Sequence, residues 1–329
     1  MNEKIYQSLK STETEDWLDF HVVRPFSYYW ARFFNYFNIH PNTVTILSMF
    51  FGAGSCVFFA HGSFYYEHGT GLLYNILAII LLCIADILDC TDGQLARISG
   101  KKSQMGRILD GMAGFIWFIP IYVSIVYRFF IHHDLEFQWL GIDNTNENTI
   151  TATIIVVIIA LISGVAGMAG QQRLADYYIQ VHLFFLKGEK GSELDNSAKQ
   201  RQLFEQLSWK DNFIEKLFLK TYVGYTLKQE AVTPQFQRMM AVLQEKYGSM
   251  DNIPSSIRER IHANSLSLMK WNGLLTFNFR SAWFFLFCLL DIPVMNFIFE
   301  ILAMGLLYKY VNHRHESFCK EIADSISNA

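Results

Sequence analysis

The chain has 329 residues, of which 51% are hydrophobic, 16% aromatic and only 17% charged, whereas ordinary soluble domains carry about a quarter charged residues. The apolar surplus gathers into blocks long enough to cross a bilayer, which takes about 20 residues as helix, so a soluble globular domain is excluded. The formal net charge of −3 carries little information in a membrane protein, and no nucleic-acid partner is expected. The five cysteines form no Cys-x-x-Cys pair, no His/Cys cluster points to zinc, and a disulfide framework is not expected.

Residues 1–22 are a polar lead-in. Glu13, Glu15, Asp16 and Asp19 make it acidic, unlike the short basic region that opens a cleavable signal peptide. Between Arg24 and Ile39, aromatic rings alternate with Arg24 and Arg32, a pattern suited to a helix lying in the membrane interface. Pro41 then restricts His40 to extended geometry, and the first span follows.

Six spans are predicted, at roughly 43–61, 71–94, 107–131, 149–169, 272–290 and 293–311. The connection after the second carries Arg97, Lys101, Lys102 and Arg107 without an acid. The flanking loops carry Glu67, Asp134, Glu136, Asp143 and Glu147 without Lys or Arg. The positive-inside rule therefore puts both termini in the cytoplasm. A bacterial cytoplasmic membrane is expected from the lack of sorting signals.

The chain divides into a lead-in with an interfacial amphipathic helix (1–40), spans one to four (41–170), an insert (171–268), and spans five and six with a tail (269–329). The insert places apolar residues at helical spacing (Leu203 and Leu207, Phe213 and Leu217, Met239 and Leu243) and is predicted to form amphipathic helices on the cytoplasmic face. The fold class is thus an all-α integral membrane protein.

The chemistry concentrates between residues 86 and 114. Asp89, Asp92, Gly93 and Ala96 are spaced to share one face of span two, and Gly106, Asp110 and Gly114 share one face of span three. On antiparallel neighbours joined by about a dozen residues these faces oppose each other. Acids at a membrane boundary are costly and mark a site by default. Three carboxylates meeting there repel one another unless a divalent cation lies between them, and oxygen-only ligands suit Mg²⁺ or Mn²⁺. Small neighbours leave room for a phosphate, and Arg97 supplies a guanidinium that forks onto phosphate oxygens. The competing reading is that the acids pair with Arg97, Lys101 and Arg107 and cap helix ends.

Along span five, Asn272, Thr276 and Arg280 are spaced by four. Arg280 and Arg173 are candidates for contact with an anionic substrate, and pairing of Arg280 with Glu300 is the alternative.

The motif resembles the signature of the CDP-alcohol phosphotransferases. Asp89, Asp92, Gly93, Ala96, Arg97, Gly106 and Asp110 match it, with eight residues between Arg97 and Gly106. Pro41, Asn42 and Thr45 resemble the family's pattern at its first span. The resemblance implies that Asp89, Asp92 and Asp110 bind a metal pair gripping the diphosphate of a CDP-linked donor. Asn42, Thr45, Gly93, Ala96, Arg97 and Gly106 would line the substrates, and a homodimer is implied. The acceptor hydroxyl would attack phosphorus in line and CMP would leave.

One position departs. The family's last aspartate, taken as the base and a ligand to the second metal, falls at Gly114. Three readings stay open: lost activity, an acceptor whose own phosphate takes the proton, or replacement by another carboxylate. Asp86 is the candidate replacement. It lies roughly 4.5 Å from Asp89 along its helix, while Gly114 lies roughly 6 Å from Asp110 along the next, so the two positions sit at similar depth. The expected activity transfers a phosphatidyl-type group from CDP-diacylglycerol to an alcohol such as inositol or inositol phosphate. A lipid alcohol acceptor (diacylglycerol or a ceramide) and an inactive nucleotide-lipid-binding homologue are the alternatives.

Overall fold

The computed structural model describes residues 3–6, 8–67, 69–249 and 252–328. The side chains of Glu67 and Arg107, counted in the loop charges above, lie outside the described residues. Every regular element among the described residues is helical. The α-helices of five or more residues are, in chain order, α1 (Arg24–Tyr36), α2 (Pro41–Ala60), α3 (Thr70–Ser99), α4 (Gln104–Ile131), α5 (Asp134–Leu140), α6 (Asn146–Ile162) and α7 (Ala169–Lys187). There follow α8 (Ser197–Gln206), α9 (Phe213–Ala231), α10 (Pro234–Tyr247), α11 (Ser255–Gly273), α12 (Phe277–Leu289), α13 (Met295–Phe299) and α14 (Gly305–Ser327). Two π-helical turns, Ser163–Met168 and Glu300–Met304, interrupt the helical path between α6 and α7 and between α13 and α14.

Local chemistry explains the boundaries around the motif. His40 is extended, its ring nitrogen accepts from the Asn42 N–H at 3.2 Å, and Pro41 opens α2. Gly100, at φ 71°, ends α3 in the left-handed region, and Ser103 then caps α4 by accepting from the Gly106 N–H at 2.9 Å. The expected dozen-residue connection is therefore corrected: helix persists to Ser99 and resumes at Gln104. The run Gln94-Leu95-Ala96-Arg97 consists of good helix formers, so the motif stays helical until glycine stops it.

Among the described residues, four helices are long and apolar enough to cross a membrane: Pro41–Ala60, Thr70–Ser99, Leu109–Ile131 and Asn146–Lys187. Where a fifth span was expected from residue 272, the helix starts only at Phe277 and runs 13 residues. That is about 20 Å of rise against a hydrocarbon core of about 30 Å. The predicted stripe of Asn272, Thr276 and Arg280 is broken for the same reason. Asn272 lies on α11, Thr276 in the turn after it and Arg280 on α12, because residues 273–276 tighten into successive three-residue turns.

The chain forms two compact units. The first comprises residues 1–12, 17–169 and 277–304. Its core gathers Phe59, Leu82, Trp117, Phe118, Ile121 and Phe284 from α2, α3, α4 and α12. Helices in lipid associate by close packing, so small residues matter. A Cβ on Gly52 would lie 2.2 Å from Trp117 Cδ1, which makes glycine a condition for α2 to meet α4. At the end of the bundle remote from the motif, Arg128 pairs with Asp291, both buried. Asn75 accepts from Arg128 at 3.0 Å and donates to the carbonyls of Gly62 and Cys288, while Ser63 donates to Asp291 at 3.0 Å.

The second unit comprises residues 13–16, 170–276 and 305–329. Met239 and Leu243 of α10 are buried, as are Phe318, Cys319 and Ile322 of α14. Phe213 and Leu217 are exposed, and on α9 Leu219 is buried instead.

Candidate active site

Asp89 and Asp92 on α3 and Asp110 on α4 converge, each offering a carboxylate oxygen within 4.8 Å of the others. At that separation and an effective dielectric of about 20, each pair of charges repels by roughly 3 kcal/mol. Asp92 is 4% exposed, and Thr45 of α2 donates its hydroxyl to Asp92 Oδ2. Asp110 is exposed. Asp89 Oδ1 is buried without a hydrogen-bond partner. A buried carboxylate oxygen is costly to leave unmatched, and an acid set of this kind can hold a hard divalent cation.

Positive charge reaches the cluster from two sides. Arg24 acts on Asp89 and Arg97 on Asp92, while the charge of Asp86, one turn away on α3, also acts on Asp89. Arg24 is delivered by α1, which lies along α3. Ser27 donates to the Ile87 carbonyl at 2.9 Å, and Gln94 donates to the Arg24 carbonyl at 3.3 Å. Ala31 and Phe34 of α1 pack with Val44, Leu88 and Leu95. The outer face of α1 exposes Phe26, Tyr29, Trp30, Phe33 and Tyr36.

The remaining predicted residues are placed as follows. A Cβ on Gly93 would sit 3.4 Å from Arg97 Nη1, so the guanidinium lies back over this glycine. Arg97 Nε donates to the Ser8 carbonyl at 2.5 Å. A Cβ on Gly106 would lie 3.0 Å from Asn42 Oδ1, which brings Asn42 to the start of α4. Ala96 and Gly114 are half-buried on α3 and α4. Thr45, expected to line the substrates, donates its hydroxyl to Asp92.

Arg280 is fully buried and donates to Glu300 Oε1 at 2.7 Å, and Tyr122 and Ser163 donate to Glu300 Oε2. That is the pairing weighed as its alternative. Arg173 belongs to the second unit, with its guanidinium 5.9 Å from the centre of the Tyr225 ring.

Sequence reasoning missed Ser8, and it read Arg24 only as a head-group contact. A backbone carbonyl leaves no trace in a sequence. Arg24 was separable from Arg32 only by its place at the helix start.

An acid cluster at the joined ends of two membrane-length helices, set beside a glycine-backed arginine, can hold a divalent cation next to a phosphate. Residues 38–171, under half of the chain, match the family model for CDP-alcohol phosphatidyltransferase, a family of phosphotransferases acting on a CDP-alcohol donor and an alcohol acceptor. The match contains every motif residue from Asn42 to Gly114. No curated protein and no solved structure matches the chain.

Proposed function

We propose that this multi-pass membrane protein transfers a phosphatidyl group from CDP-diacylglycerol to a polar alcohol, inositol or inositol phosphate being favoured, and releases CMP. The observation that carries the reading is the convergence of Asp89, Asp92 and Asp110 within 4.8 Å, inside the segment matching the family. Mg²⁺ or Mn²⁺ would be held by these three carboxylates, and the unpartnered Asp89 Oδ1 fits that assignment. When bound, the ion supplies positive charge against the donor's diphosphate.

The chain's own groups account for the rest. Arg97, backed against Gly93, faces donor phosphate, and Asn42 and Gly106 shape the nucleotide subsite. The acceptor oxygen bonds to the lipid-bearing phosphorus as the bond from that phosphorus to the CMP oxygen breaks. CMP leaves with the bonding pair, and the hydroxyl proton passes to Asp86, which takes the part lost at Gly114. Thr45 holds Asp92 in register.

The topology proposed for this activity has six spans with both termini in the cytoplasm of a bacterial membrane. In it α1 lies in the interface, its exposed aromatic face toward the acyl boundary, and the protein is a homodimer.

CMP release from CDP-diacylglycerol by purified protein with Mg²⁺ or Mn²⁺ tests the reading across inositol, inositol phosphate, glycerol phosphate, serine, diacylglycerol and ceramide. Release that depends on one acceptor and disappears in Asp92→Asn is expected. Tight metal and nucleotide binding without release would instead identify a nucleotide-lipid-binding homologue whose Gly114 marks a lost activity.

A further inference from the structure

Within the second unit, the structure assigns a second metal site, for Zn²⁺ or a similar first-row transition ion, to Glu13, His182 and His262. These residues come from three distant parts of the chain: the acidic lead-in, α7 and α11. His182 Nε2 and His262 Nε2 approach the same oxygen, Glu13 Oε2, at 2.9 and 2.8 Å. The two rings stack with centroids 5.0 Å apart. One ligand atom from each residue lies within 4.8 Å of the other two.

Ser265 supports the ring of His182 from behind the cluster. Its hydroxyl donates to the His262 carbonyl at 2.9 Å and also lies 2.8 Å from His182 Nδ1. A hydroxyl has one proton. When Ser265 gives that proton to the carbonyl it accepts from His182 Nδ1–H, and His182 Nε2 presents its lone pair toward Glu13 Oε2 at 2.9 Å, the tautomer that a metal between them requires.

The His182 side chain is 0% exposed, so its ring is held in place. A ligating histidine whose other ring nitrogen donates to a fixed acceptor is the arrangement usual around transition metals. Two imidazoles with one carboxylate suit zinc, whereas Mg²⁺ prefers oxygen.

Three protein ligands leave a fourth position for water or an anion. The site reaches solvent there, Glu13 being 33% and His262 26% exposed. Bonds of about 2.0–2.1 Å in a tetrahedron separate ligand atoms by roughly 3.3 Å. Loading thus opens each contact by about 0.5 Å, which the two part-exposed side chains can supply.

The test uses the full chain in detergent, stripped with chelator and titrated with Zn²⁺, and separately with Co²⁺ to read ligand-field absorption. One equivalent is expected to bind in the wild type and in Asp92→Asn, which separates this site from the acid cluster on α3 and α4. Glu13→Gln and His262→Gln, both at part-exposed positions, should weaken it at least about 100-fold, and Ser265→Ala by about 10–100-fold. No retained equivalent in the wild type would identify the cluster as a histidinium–glutamate pair and overturn the assignment. Wild-type affinity in both Glu13→Gln and His262→Gln would overturn it equally.

Discussion

Thr45→Val isolates one hydrogen bond at the centre of the proposed activity. Valine keeps the shape of threonine and removes only the hydroxyl that donates to Asp92 Oδ2, with the Pro41 carbonyl 3.3 Å from the same oxygen as the alternative acceptor. Asp92 is 4% exposed, so water cannot replace the lost donor freely. A hydrogen bond to a charged group contributes about 1.5–3 kcal/mol. At about 1.4 kcal/mol per factor of ten, Mn²⁺ affinity and CMP release should each fall by about 10- to 150-fold. That range agrees with the 10–100-fold losses typical of groups that orient metal ligands. Manganese binding followed by electron paramagnetic resonance gives the first quantity, and CMP release at saturating Mn²⁺ gives the second. Thr45→Ser, which keeps the hydroxyl, should stay within a few-fold of wild type. If Thr45→Val matches wild type in both assays, Thr45 does not support Asp92. If Thr45→Ser is as impaired as valine, packing matters instead of the hydroxyl.

Asp86→Asn and Asp86→Ala should each lower CMP release by at least about 100-fold, the scale of general-base catalysis, and leave Mn²⁺ affinity near wild type; normal turnover in either removes Asp86 from the mechanism. Arg128→Met leaves Asp291 as an uncompensated buried charge and should cost about 3–5 kcal/mol, read as a lower melting temperature in detergent. Adding Asp291→Leu should restore most of that loss, and an undiminished defect in the double variant would refute the pairing. Glu136 is pushed up to about 7, chiefly by burial. Its raised value means the folded chain holds a proton that the unfolded chain releases, so this stabilisation is full below about 4.5 and is lost as pH rises through about 7. Glu136→Gln should flatten the fall in melting temperature between those limits, and an unchanged pH profile would count against it.

The first three membrane-length helices and the acid cluster were legible because their information is local. Spacing along α3 alone puts Asp89 and Asp92 on one face, and a short connection brings Asp110 to them. The start of the fifth predicted span was misplaced because Asn272, Thr276 and Arg280 keep a perfect helical period across a stretch where the backbone turns. Period cannot report a helix end that lacks a strong stop signal. The partners of Asp92, Arg97 and Arg128 lie 47, 89 and 163 residues away in sequence, so no window reveals them. The same holds for Glu13, His182 and His262. A search for local His/Cys spacing passed over them because their proximity exists only after folding.

The two buried ion pairs of the first unit bear on how the chain is made. Arg280, Asp291 and Glu300 all belong to the C-terminal part of that unit, and an unpaired charge in hydrocarbon is expensive. Their partners Ser63, Tyr122, Arg128 and Ser163 are synthesised earlier. A ribosome therefore delivers the closing helices to a bundle already displaying their docking groups. Until they arrive, Arg128 stands without its acid. A chain stopped before Phe277 would thus hold Arg128 with Asn75 alone and without its acid.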